Sequence, residues 1–181
     1  MEKIISGSRE KLFTCPIFYV EGVKIEQPDG RTAHRNVVRH SGGCGAVAVD
    51  DNGRVCLIKQ WRVALEETVI EIPAGKLETE DTDPLMCAQR ELREEAGLLA
   101  QNWELLIRFY PTPGYSNEIL YVYLATGLSE CERDLDDGEF IESDFYELEQ
   151  MAQRANNGEI PDSKTALGLI LARERLKNKG V

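Results

Sequence analysis

Apolar and polar positions alternate along the first third of the chain, then switch to a helical period near its middle. Residues 13–25 mix β-branched and aromatic side chains, and Pro28-Asp29-Gly30 supplies a turn before an apolar run at 33–38. Residues 46–50 and 54–60 flank Asp51-Asn52-Gly53, where Asn-Gly accepts the positive φ of a tight hairpin. A short strand at 68–72 closes on Pro73-Ala74-Gly75. Leu85, Ala88, Leu92 and Ala96 then recur at helical spacing, which predicts a helix over 83–96 with one buried stripe. Asp83 is placed to cap it, Pro84 suits its first turn, and Gly97 suits the position just past its end. Strands at 103–110, 119–125 and 140–145 and helices at 148–156 and 163–177 complete the order. This order predicts an α+β fold, a mixed β-sheet sandwiched between helices, with the N-terminal β-hairpin as an extension.

Composition narrows what such a fold is for. A chain of 181 residues fits one domain with a small appendage, here residues 41–181 with the extension at 1–40. No apolar run reaches membrane-spanning length and the N-terminus lacks a signal-peptide core, so a cytoplasmic protein with no membrane partner is expected. The formal net charge of −11 argues against nucleic-acid polymers, whose phosphates attract Lys and Arg. It leaves room for a small anionic substrate, because a bound divalent cation inverts the field at a carboxylate cluster. The five cysteines form no Cys-x-x-Cys pair and read as reduced thiols, with Cys56 and Cys87 in core patterns. His34 and His40 stand in no metal or triad spacing.

The chemistry concentrates in Arg90-Glu91-Leu92-Arg93-Glu94-Glu95-Ala96-Gly97-Leu98. On a helix Glu91, Glu94 and Glu95 stand at i, i+3 and i+4 and share a face, with Leu92 and Ala96 expected on the buried side. Like charges at that spacing cost roughly 0.2–0.5 kcal/mol on an exposed helix. Arg90 can pair with Glu94 and relieve part of this. A hard cation accounts for the rest: Mg²⁺ prefers carboxylate oxygens and keeps waters that a phosphate replaces. A solvated helix face would show similar letters, and context decides between the two.

That context is a resemblance to the Nudix hydrolase family, whose signature reads G-x5-E-x7-R-E-U-x-E-E-x-G-U, with U aliphatic. Gly75 supplies the leading glycine and residues 90–98 match the tail without a mismatch. Between Gly75 and Arg90 stand 14 residues where the signature has 13, so either Asp81 or Thr82 takes the upstream acid's place and neither joins the metal set. The resemblance implies Glu91 and Glu95 as the principal Mg²⁺ ligands; whether Mn²⁺ substitutes is not fixed by the sequence. It also implies Glu94 at a further metal or its waters, Arg90 orienting the carboxylates, and the Ala74 carbonyl as an additional ligand.

Three segments resemble the ADP-ribose pyrophosphatases and their nucleoside-diphosphate-sugar relatives. Glu71-Ile72-Pro73-Ala74-Gly75 is similar to their E-L-P-A-G, and Gln60-Trp61-Arg62 to their Q-Y-R, in which the arginine reaches substrate phosphate. Glu71 and Arg62 are therefore expected at the substrate. The loop from Tyr110 to Glu118 resembles their P-S-P-G loop, with Pro113 lying 16 positions beyond Gly97. Pro113 and Tyr115 join the substrate set, although Tyr115 serves equally well as a packing aromatic. Asp136-Asp137-Gly138-Glu139-Phe140-Ile141-Glu142 resembles their D-G-E-F-V-E loop, which makes Glu139 the expected base and Glu142 its reserve. The resemblance thus implies Mg²⁺-dependent hydrolysis of ADP-ribose to AMP and ribose 5-phosphate, in a homodimer contacting through the N-terminal strands. The alternatives are another nucleoside diphosphate sugar, such as a GDP-sugar, and a non-catalytic nucleotide-sugar sensor on the same fold.

Overall fold

The computed structural model describes residues 1–135, 138 and 140–179, and the chain folds into two compact units. One comprises Met1–Gly42 and Tyr110–Ile119. Within it β1 (Lys3–Ile4), β2 (Glu10–Thr14), β3 (Phe18–Glu26) and β4 (Thr32–His40) form an antiparallel sheet in which β3 pairs with all the others. Glu21 is buried in β3 and lies between Arg9 and Arg39, whose hydrogen bonds hold its carboxyl below the usual range. The segment 110–119, expected in the later domain, joins this unit instead: the Val38 amide donates to Tyr115 O at 2.8 Å and the Asn117 amide to Val38 O at 3.2 Å.

The other unit comprises Gly43–Phe109 and Leu120–Val181. Its sheet is built from β5 (Gly43–Val49), β6 (Arg54–Arg62), β7 (Glu67–Glu71), β8 (Ala74–Lys76), β9 (Leu98–Phe109), β10 (Leu120–Glu130) and β11 (Ile141–Glu147). The central path runs β11-β6-β5-β10-β9, parallel between β5 and β10 and antiparallel elsewhere. All seven residues of β5 are buried because both faces of the strand are covered. Val47 and Val49 face α2 (Leu148–Asn156) and α3 (Ser163–Lys179), in a core with Leu57, Ile72, Met151 and Leu169. Ala46 and Ala48 face α1 (Pro84–Ala96), meeting Leu92 and Cys56. Small residues on that side let the helix approach closely; a fully buried Leu92 contributes about 1.5–3 kcal/mol.

β5 and β6 pair only at Ala48–Cys56 and Val49–Val55, then part. β6 continues against β7, whereas β5 takes β8 as its partner, with Cys44 opposite Gly75. The turn expected at Pro73-Ala74-Gly75 is therefore a short strand, formed because Gly43, Gly45, Ala74 and Gly75 are small enough for close pairing. α1 begins and ends as expected. The Asp83 carboxylate accepts from the Leu85 amide at 2.9 Å, and Gly97 takes a left-handed conformation, φ 65°, that a β-carbon would strain. That cap turns the chain directly into β9, five residues ahead of the predicted start, since Leu99-Ala100-Gln101-Asn102 carries no β-branched signal. Cys44, Cys56 and Cys87 are buried and all five cysteines are free thiols; burial pushes Cys56 up to about 12. Among the described residues no helix is long and apolar enough to cross a membrane.

Candidate active site

The face of α1 departs from the simple stripe. Leu85 and Ala96 are only partly buried, whereas Cys87, Glu91 and Glu95 are buried with Ala88 and Leu92. Glu91 and Glu95 retain 9% and 3% exposure, so they do not belong to a solvated edge. The close approach of β8 makes this burial. Ala74 N–H donates to Glu95 Oε2 at 2.7 Å, and Gly75 lies so near Glu91 that an added Cβ would fall inside the Glu91 carboxylate.

Arg90 holds the cluster together. Its Nη1 donates to Glu91 Oε1 at 2.6 Å and to Glu94 Oε2 at 3.0 Å, while Nη2 reaches Lys76 O at 3.2 Å and Asp81 Oδ2 at 3.3 Å. Burial works against the guanidinium charge, but Glu91 and Glu94 outweigh it and raise its pKa above the ordinary value. Asp81 is the one of the two upstream candidates that contacts Arg90, and its Oδ2 also accepts from the Glu78 amide at 2.9 Å, which pins the inserted loop. Thr82 is exposed and donates to Met86 Sδ. The sequence left this choice open because spacing alone places either residue in register.

Arg62 and Glu71, both expected at the substrate, stand together and pair with one another. Arg62 Nε and Nη2 donate to the two Glu71 oxygens at 2.5 and 2.8 Å, and Lys164 Nζ also binds Glu71 Oε2. At 2% exposure, with both oxygens engaged, Glu71 holds Arg62 and Lys164. Burial alone would raise the Glu71 carboxyl, but Arg62 and Lys164 outweigh it and hold it below the usual range. The Glu71 carboxylate, with a smaller contribution from Glu95, raises the Arg62 pKa above its ordinary value against the effect of burial. Cys56, Gln60 and Arg62 alternate along one face of β6, and Cys56 meets α1.

The same alternation sets Glu142 on the opposite face from Cys56, Gln60 and Arg62. It pairs opposite Lys59, whereas the pairs that flank this face are Phe145–Cys56 and Ile141–Gln60, so its side chain points to the other side of the sheet. Glu139 lies outside the described residues. Pro113 and Tyr115 lie in the first unit, where the Tyr115 ring is exposed. Lys164, Asp162 and Thr165 escaped the sequence reading altogether. Their signal was the cap pattern Asp162-Ser163-Lys164-Thr165, in which Asp162 Oδ2 accepts from both the amide and the hydroxyl of Thr165.

Among the described residues no three His, Cys, Asp or Glu converge as a ready-made metal cage. The donors nonetheless fit a hard cation of the Mg²⁺ kind, which takes one or two carboxylates and completes its shell with water and phosphate. Glu91 and Glu95 are one helical turn apart, and Glu94 stands beside them.

A buried carboxylate helix over a split mixed sheet is matched by the NUDIX domain over residues 39–166, well over half of the chain. The chain belongs to the Nudix family, as an enzyme of the pyrophosphatase kind, and that family generally depends on divalent metal. It is 39% identical over 172 residues to an ADP-ribose pyrophosphatase of Bacillus subtilis (strain 168), covering 93% of this chain and 90% of the relative. It is 36% identical to a methanol dehydrogenase activator of Bacillus methanolicus, covering 94% of each. A crystal structure of an ADP compounds hydrolase shares the fold at TM-score 0.84 and 22% identity, covering 99% of this chain and 96% of that one.

Proposed function

We propose that this enzyme hydrolyses the pyrophosphate of ADP-ribose to AMP and ribose 5-phosphate with Mg²⁺. The observation that carries the reading is the burial of Glu91 and Glu95 one turn apart. Burying ionised carboxylates costs several kcal/mol each; Arg90 offsets part of that for Glu91, and a hard cation would offset the rest. Glu91 and Glu95 would hold the metal, with Glu94 and the Ala74 carbonyl completing the donor set. When bound, the metal supplies an activated water and stabilises charge on the diphosphate oxygens. Arg90 keeps Glu91 and Glu94 apart from one another's charge and aligned until then. Arg62 offers the free edge of its guanidinium to a phosphate, and Pro113 and Tyr115 stay nominated as substrate contacts by resemblance alone. Glu139 stays nominated as the proton acceptor by resemblance alone. The similarity to ADP-ribose pyrophosphatases at 39% identity favours ADP-ribose over other nucleoside diphosphate sugars.

The enzyme is expected to act in the cytoplasm as a homodimer; Leu12 and Phe13 on β2 and Ile17 in the turn after it stand exposed, as a partner-facing surface requires. One set of measurements tests the whole reading. Purified protein with Mg²⁺ should release AMP and ribose 5-phosphate from ADP-ribose, stop on adding EDTA, and sediment at twice the chain mass. Tight binding of ADP-ribose without AMP release would instead mark a sensor, and faster turnover of a GDP-sugar would move the substrate.

A further inference from the structure

Lys164 has no part in the chemistry assigned so far, yet its surroundings are tightly specified. It is the second residue of α3 and retains 13% side-chain exposure. Its Nζ bridges Glu71 Oε2 and Asp162 Oδ1, the latter at 3.0 Å. The turn that carries it is fixed: the Ile72 amide donates to Thr165 Oγ1 at 2.9 Å, and Thr165 Oγ1 in turn donates to Asp162 Oδ2 at 2.5 Å. This turn therefore grips the strand immediately ahead of Pro73-Ala74-Gly75, the segment that contacts the metal carboxylates.

Two cations and two carboxylates meet here, Arg62 and Lys164 with Glu71 and Asp162, so the group is formally neutral. They line a cleft of about 380 Å³ whose other walls include Leu65, Val69 and Pro161. Glu71 occupies Nε and Nη2 of Arg62 in a two-pronged pair, which leaves the Nη1 edge for an anion. If Lys164 were absent the group would carry a net negative charge. Glu71 would then have Arg62 as its one cation, and a diphosphate would approach a repelling site.

We propose that Lys164 is a positioning residue for the diphosphate. Through Glu71 it fixes the Arg62 guanidinium, and it balances the carboxylates so that Arg62 keeps charge available for phosphate. This rests on Arg62 as the phosphate contact of the preceding subsection.

The test is a double-mutant cycle on the full chain with Mg²⁺ and ADP-ribose: Lys164→Met, Lys164→Arg, Arg62→Ala, and Lys164→Met with Arg62→Ala. Lys164→Met should raise KM about tenfold while kcat stays within about twofold, and Lys164→Arg should restore most of the loss. In the Arg62→Ala background Lys164→Met should add little, because the residue acts through Arg62. Full additivity, or a fall in kcat with KM unchanged, overturns the proposal. Should Lys164→Met fail to fold, Lys164→Gln takes its place: it keeps a donor for Glu71 but not the charge, so the same rise in KM is expected and an unchanged KM overturns it. Arg62→Ala with unchanged KM would defeat the phosphate role of Arg62 itself, a different result from an Arg62→Ala defect that Lys164 variants do not share. Calorimetric titration with inorganic pyrophosphate gives the same comparison whichever nucleotide the enzyme turns over.

Discussion

Replacing Glu95 by Gln should reduce kcat/KM about a thousandfold while leaving the protein as stable as before, or more so. Glu95 is 3% exposed and spends Oε2 on the Ala74 amide. Gln keeps the volume and an acceptor for that amide, so the β8–α1 contact survives. What disappears is one unit of negative charge beside Glu91. In the absence of metal that loss removes a repulsion between buried carboxylates, and the melting temperature should hold or rise. With metal it removes a ligand charge, and a metal supplies several kcal/mol of transition-state stabilisation, about tenfold in rate per 1.4 kcal/mol. Two measurements separate these effects: turnover across a Mg²⁺ series, and the rise in melting temperature that Mg²⁺ produces by binding the folded state. The variant should lose both the turnover and most of the rise. Wild-type turnover at saturating Mg²⁺ would sink the assignment of Glu95 as a ligand.

The cluster was legible in the sequence because the chemistry requires like charges at helical spacing, a pattern that local propensity does not favour. The helix around it was legible too, since Asp83, Pro84 and Gly97 each mark a boundary through their own backbone chemistry. What escaped was burial. Periodicity assigns Glu91 and Glu95 to the polar face, and only the approach of Ala74 and Gly75 from a distant strand makes that face an interior. The strand β8 was hidden for the same reason: Ala-Gly-Lys has no β-propensity of its own and pairs because β5 offers Gly43 and Gly45. The Arg62–Glu71–Lys164 group joins positions 93 residues apart, from Glu71 to Lys164, and nothing in either neighbourhood announces the other. At Glu142, a carboxylate next to a motif, strand alternation turns the side chain away from α1, which the motif's spacing does not show. Resemblance locates segments; pleat and packing decide which side chains of a segment face the chemistry.

Gly75→Ala should be the most damaging small substitution in the chain. A methyl group there would collide with all three terminal atoms of the Glu91 side chain, Cδ and both oxygens. The Glu91 side chain is the side that can yield, at the cost of its contact with Arg90. Gly75 is fixed by pairing with Cys44, whereas Glu91 is held by Arg90 Nη1 at 2.6 Å and by its place on the buried face of α1. Overpacking of this kind costs about 1–3 kcal/mol, which should lower the melting temperature by several degrees. The larger consequence is chemical. Glu91 must rotate or α1 must lift, and a displacement near 1 Å at a positioned group costs on the order of a hundredfold in rate. Glu91→Asp in the same chain distinguishes the two: the shorter side chain should relieve the collision and recover part of the stability, yet leave turnover low because the carboxylate no longer reaches its station. Thermal unfolding and turnover measured on the single and double variants check both halves. If Gly75→Ala kept full activity, Glu91 could leave its observed position without loss, and it would not be a ligand at all.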